Sequence, residues 1–175
     1  RVLNVNTSQT LQTALNTAVA GDEIVLADGT YVGQFTINRN AGTPSNPIIV
    51  RAENKHKAIL EGNPSCKWFN NGLTIYRSYW KIQDLRMRRQ DWVIYLEGAG
   101  ANNVTIQNMI IEDYHGAGIA LYQGANNNTL QNNVISHNDP SCAGKNNVED
   151  FGITVYRSYN NTIKHNIILA TGDNG

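Results

Sequence analysis

The sequence predicts an all-β chain wound as a solenoid, and three observations carry that expectation. First, a hydrophobic alternation recurs, as Leu73-Thr74-Ile75-Tyr76, Val93-Ile94-Tyr95-Leu96, Ile119-Ala120-Leu121-Tyr122 and Ile153-Thr154-Val155-Tyr156. Second, each copy is followed, after a polar corner, by a shorter one: Lys81-Ile82-Gln83-Asp84, Thr105-Ile106-Gln107-Asn108, Thr129-Leu130-Gln131-Asn132 and Thr162-Ile163-Lys164-His165. With Ile82, Ile106, Leu130 and Ile163 as markers, the copies stand 24, 24 and 33 residues apart, the last interval holding an insertion at 139–149. Third, Asn doublets at 70–71, 102–103, 126–127, 132–133, 146–147 and 160–161 punctuate the pattern. Alternation over four or five positions marks half-buried strands, not helices. A period near 24 built from such strands marks coils that bury their apolar faces by stacking. Asn suits the corners because it tolerates left-handed backbone angles and its amide can bond to an equivalent amide above.

The chain opens with a strand over 2–6. Leu11, Ala14, Leu15 and Ala18 then fall at helical spacing, which predicts a short helix over 10–20 with Ser8 or Thr10 as its cap. A helix there covers the open end of the solenoid. Gly21-Asp22 breaks it, and Glu23-Ile24-Val25-Leu26 forms a strand that ends at the Asp28-Gly29 turn. Strands over 31–38 and 48–52 flank the turn-rich 40–47, and 58–62 closes this irregular region. One domain over 1–175 is expected, with a cap at about 1–22 and coils from about 23 onward. Residues 170–175 read as another corner, not a cap, so Ile163, Ile167 and Ile168 should lie open. That predicts a chain continuing past Gly175, or self-association through the uncapped coil.

Fourteen basic and fourteen acidic residues cancel, so neither a nucleic-acid partner nor a membrane partner is expected. No apolar run approaches membrane-spanning length. The start at Arg1 reads as a processed N-terminus, and sequons at Asn6, Asn103, Asn127 and Asn160 fit a secreted glycoprotein. Three of those sequons coincide with the corner pattern. Cys66 and Cys142 lie in the loop-like runs Pro64-Ser65-Cys66 and Pro140-Ser141-Cys142; a disulfide between them and two free thiols both remain open.

Chemistry in a solenoid is read down its columns. One column aligns Arg88, Glu112, Ser136 and Leu169, and the next aligns Arg89, Asp113, His137 and Ala170, with His115 and Asp139 just beyond. Mixed charge and two imidazoles suit anionic-sugar binding or proton transfer; a self-neutralised solvated face is the alternative. A second column aligns Arg77, Glu97, Gln123 and Arg157 beside Tyr76, Leu96, Tyr122 and Tyr156, with Glu97 placed to pair with Arg77. Tyr122 and Tyr156 are candidate substrate-binding residues, as are Arg88 and Arg89. Rings pack on sugar C–H faces and guanidinium pairs with carboxylate.

Several early runs carry a family resemblance. They are Gly21-Asp22-Glu23-Ile24-Val25-Leu26-Ala27-Asp28-Gly29-Thr30-Tyr31, Gly42-Thr43-Pro44-Ser45-Asn46-Pro47-Ile48, Arg51-Ala52-Glu53, Ile59-Leu60-Glu61-Gly62 and Trp80-Lys81-Ile82-Gln83-Asp84-Leu85. This opening resembles the chondroitinase-B-like, alginate-lyase-type polysaccharide lyases of family six, in the pectate-lyase-like superfamily. The resemblance implies a right-handed parallel β-helix, an acidic polysaccharide substrate and β-elimination. It also implies calcium, which neutralises the uronate carboxylate while a basic side chain removes the C5 proton. The matching stretch runs from Glu149-Asp150 through Gly152 to Tyr156-Arg157. It implies Asp150 and Glu149 as metal ligands and Arg157 as a catalytic candidate, to be added to His137 and His115 of the charged column. Two departures stand out. Gly152 occupies the second acidic position, and Arg157 replaces the family's Lys with a group that holds its proton more tightly. The competing expectation is a non-catalytic β-helix that binds glycans or serves structurally.

Overall fold

The computed structural model describes residues 1–62, 71–136 and 151–169. After β1 (Val2–Val5) and α1 (Ser8–Thr17), the chain winds through coils of three strands each. The first coil holds β2 (Glu23–Leu26), β3 (Gly29–Val32) and β4 (Phe35–Ile37), and the second β5 (Ile48–Ala52), β6 (Ala58–Glu61) and β7 (Asn71–Ile75). The third holds β8 (Trp80–Gln83), β9 (Arg86–Arg88) and β10 (Trp92–Glu97), and the fourth β11 (Thr105–Gln107), β12 (Ile110–Glu112) and β13 (Ala117–Tyr122). Then come β14 (Thr129–Gln131), β15 (Val134–Ser136) and β16 (Phe151–Tyr156), and finally β17 (Thr162–Lys164) and β18 (Ile167–Leu169).

Each strand pairs in parallel with its equivalent one coil away. The first sheet runs β1-β2-β5-β8-β11-β14-β17, the second β18-β15-β12-β9-β6-β3 and the third β16-β13-β10-β7-β4. The four sequence markers fall in one column, because Ile82 pairs with Ile106, Ile106 with Leu130 and Leu130 with Ile163. The column extends back through Val50, Ile24 and Leu3, and Ile82, Ile106 and Leu130 are fully buried in the core. In the second sheet Tyr31, Leu60, Met87, Ile111, Ile135 and Ile168 form the inward column. The architecture is thus a parallel β-helix whose interior is a stack of aliphatic side chains.

Corners are built as the Asn doublets suggest, and amides of Asn128, Asn133, Asn161 and Asn166 also bond to a neighbouring coil. Asn133 is completely buried; its Oδ1 accepts from the Met109 amide at 3.0 Å and its Nδ2 donates to the Ile106 carbonyl at 3.1 Å. Asn166 repeats the device one coil on, accepting from the Asn133 backbone N–H at 3.0 Å. Asp84, Asn108, Asn132 and His165 all take left-handed angles (φ 62, 54, 57 and 55°) at the corner from the first to the second sheet. Tyr79, Asn103, Asn127 and Asn160 do the same at the corner entering the first sheet.

The helix begins earlier than its apolar spacing indicates. Thr7 is the N-cap and, with Thr10, forms a reciprocal capping box. The helix ends at Thr17, and Leu11, Ala14 and Leu15 pack into the same core as Ile24 and Leu26. At the other end of the described stack Val155, Ile163, Ile167, Ile168 and Leu169 are each about half exposed.

Candidate functional site

The third sheet carries the most chemically distinctive outer face. Leu73, Ile94, Ile119 and Ile153 pair in one column, and Ile75, Leu96, Leu121 and Val155 in another. These point inward, so strand alternation turns the residue after each second-column member outward. The outward row is Tyr76, Glu97, Tyr122 and Tyr156. This corrects the sequence alignment by one position: Leu96 is a core residue stacked on Ile75 and Leu121, and Glu97 pairs with Tyr122. Nor does Glu97 pair with Arg77, whose guanidinium donates to the carbonyls of Arg39 and Tyr76 at 3.2 Å each. The ambiguity came from Val93, which is also fully buried, so the run Val93-Ile94-Tyr95-Leu96 offers two alternations.

A small aromatic core supports the row. Trp92, Tyr95, Ala117 and Ala120 cluster on the outer face with Tyr122 packed against them. The Trp92 ring lies 5.2 Å edge-on from both Tyr95 and Tyr122, and Tyr95 lies 5.5 Å from Tyr122. Tyr122 then stands 5.3 Å from Tyr156, which is 43 % exposed. Gly116 makes room for the indole. Its φ is +112°, and a Cβ there would meet Trp92 Nε1 at 2.8 Å. Trp92 and Tyr95 are nearly buried, so the accessible surface is the Tyr76–Glu97–Tyr122–Tyr156 row itself. At its far end Arg157, in a left-handed turn (φ 48°), places its guanidinium 5.1 Å over the Tyr156 ring.

Two phenols of this face, Tyr95 and Tyr76, are held protonated. Burial pushes Tyr95 up to about 12, aided by the negative charge of Glu97. Tyr76 is raised by burial and then by its hydrogen bond to Glu97. Such neutral phenols can donate to a ligand oxygen, and their ring faces suit sugar C–H groups.

The charged column has the register expected of it. Glu61, Arg88, Glu112, Ser136 and Leu169 pair in turn, and the Arg89 amide donates to the Asp113 carbonyl. Its charges are spent on one another. Arg88 bonds Glu61 at 2.9 Å, Arg89 reaches the same carboxylate at 3.3 Å, and Arg86 pairs with Glu112. The hydrogen bond to Glu61 raises Arg88 above its usual range, although burial opposes this. His115 is 6 % exposed at the corner entering β13, whereas Arg157 leaves the opposite end of the same sheet. About seven strand residues separate those ends, roughly 20 Å of extended chain. His115 and Arg157 therefore do not share one catalytic constellation.

His137, Glu149, Asp150, Cys66 and Cys142 lie outside the described residues. Asn6, Asn103, Asn127 and Asn160 are all exposed. The carboxylates expected to hold calcium, Glu149 and Asp150, are thus outside the described residues. Gly152 stands where a second acidic ligand is needed, and among the described residues no group of three or more His, Cys, Asp or Glu gathers.

The stacked parallel sheets and the helical cap define a parallel β-helix. The chain belongs to the Pel9A-like, right-handed β-helix family, which matches residues 4–175. No curated protein sequence matches it. Among solved structures it is similar to an alginate lyase from Paenibacillus sp. str. FPU-7, with a TM-score of 0.76 and 24 % identity over 98 % of this chain and 67 % of that one. It is similar to pectate lyase Pel9A (TM-score 0.71, 19 % identity, 91 % of this chain and 46 % of that one). A family-six polysaccharide lyase from Pseudopedobacter saltans gives 0.64 and 18 %, with 95 % of this chain and 46 % of that one covered. At these identities the likeness shows the fold. The chain spans less than half the length of two of these three lyases.

Proposed function

We propose that the protein is a secreted lyase-type β-helix protein that takes an acidic, uronate-containing polysaccharide along the outer face of its third sheet. The observation that carries this reading is the accessible row ending in Tyr122, Tyr156 and Arg157. The Tyr122 and Tyr156 rings stand 5.3 Å apart on successive coils, a spacing comparable to the rise of an extended pyranose chain. Arg157 is the carboxylate partner at the end of the row, where its planar donors can take a uronate bidentately. The family, the lyases of the same fold and the chondroitinase-B-like opening all support β-elimination as the reaction. In that reaction a base removes the proton at C5, a C4–C5 double bond forms, and the glycosidic oxygen at C4 departs with a proton.

Arg157 is better suited to binding than to serving as that base, because guanidinium does not give up its proton near neutrality. This favours, as a second reading, a glycan-binding β-helix without catalysis of its own. Incubation with pectate, alginate and chondroitin sulfate, each with calcium and with chelator, separates the two readings. Growth of the unsaturated-product absorbance supports the lyase. Binding without product in every arm supports the second reading, and neither binding nor product contradicts both.

A further inference from the structure

We infer that Glu97 sets the specificity of this face, making the coil of β10 a subsite for an uncharged pyranose unit and leaving charged uronate to the Arg157 end. The inference rests on the tyrosine row being the saccharide surface. Glu97 interrupts that row between Tyr76 and Tyr122, with Tyr122 its direct register partner. Among the described residues no ion pair involves Glu97. Arg77, which follows Tyr76 one coil away, is held by two backbone carbonyls. Arg157 sits two coils away over Tyr156, about 10 Å along the stack and so near the screening length at physiological salt.

The surroundings of the carboxylate are neutral donors and ring faces. Tyr76 precedes it in the same outward row, and Tyr95 and Tyr122 are packed against each other beside it. An ionised carboxylate only accepts hydrogen bonds. It therefore suits sugar hydroxyls and repels the carboxylate of a uronate unit placed on the same coil. The unit that fits there is uncharged, either a neutral sugar or a uronate masked as an ester. A groove with Glu97 at one subsite and Arg157 at another reads a pattern of charge along the chain, not charge alone.

The test is calorimetric titration of the wild type and Glu97→Gln. Three ligand series of equal length are used: free-acid oligogalacturonate, its fully methyl-esterified form, and a neutral galacto-oligosaccharide. The substitution keeps shape and removes charge. It should raise affinity for the free acid about tenfold at low salt, with the gain shrinking at high salt, and should not raise affinity for either uncharged series. In the wild type, the tighter binder of the two uncharged series identifies whether ester or neutral sugar is the source. An unchanged ratio of free-acid to ester affinity in Glu97→Gln overturns the inference while leaving the surface intact. Tyr156→Ala with undiminished binding of all three series, or no binding by the wild type, overturns the surface reading instead.

Discussion

Tyr95 concentrates the physics of the outer face in one side chain. Its ring packs edge-on to Trp92, and its phenol ionises only near pH 12. A folded pKa raised above the unfolded value near 10 contributes stability that is full below pH 10 and is lost as pH climbs through 12. The rise from near 10 to about 12 corresponds to about 2–3 kcal/mol. Alkaline unfolding followed by circular dichroism should therefore steepen between pH 10 and 12, and Tyr95→Phe should flatten it; equal curves would show that Tyr95 ionises freely in the fold. At this scale the sequence was only partly legible. The Tyr122 and Tyr156 rings were visible as a repeat, because they sit at matching ends of long, regular alternations. Glu97 was misplaced by one residue because Val93 and Ile94 are both apolar and both buried. Trp92 and Tyr95 were missed as supports, since only the folded sheet brings a strand's first residue against the last residue of its neighbour.

At the scale of the element, the corners decide register. The Asn133 amide bonds the coil below through Met109 and Ile106 and the coil above through Asn166. Removing it strands buried backbone groups, so Asn133→Ala should cost about 2–3 kcal/mol or more in urea denaturation. Asn103→Ala is the instructive contrast. That side chain is exposed, and its backbone sits at φ 54°, so the loss should be confined to about 1 kcal/mol of left-handed strain. Equal losses at both positions would mean that the inward amide is not a structural bond. The doublets announced corners in the sequence but not which Asn of each pair turns inward, because both are polar and only stacking distinguishes them. The helix start was likewise off. Apolar spacing begins at Leu11, whereas the Thr7–Thr10 capping box that sets the N-terminus is polar and local.

For the whole molecule, the repeat made the parallel stack legible, because coil-to-coil pairing follows directly from the 24-residue spacing that the side-chain ladders share. Gln83, Gln107 and Gln131 form such a ladder on the first sheet, amide to amide at 3.1 and 2.9 Å. That regular face offers a control for the functional one. A site was harder to read, because the Arg88–Arg89 corner allowed both a binding column and a self-neutralised face, and ion pairs with Glu61 fit the second. The face proposed for a ligand is instead aromatic, with Glu97 and Arg157 as its charged members. The most direct test of this account is resonance mapping by nuclear magnetic resonance during titration with an oligouronate and its methyl ester. The account predicts saturable shifts at Tyr76, Glu97, Tyr122, Tyr156 and Arg157, with Gln83, Gln107 and Gln131 unmoved. Shifts centred on Arg88 and Arg89, with the tyrosine row silent, would contradict it.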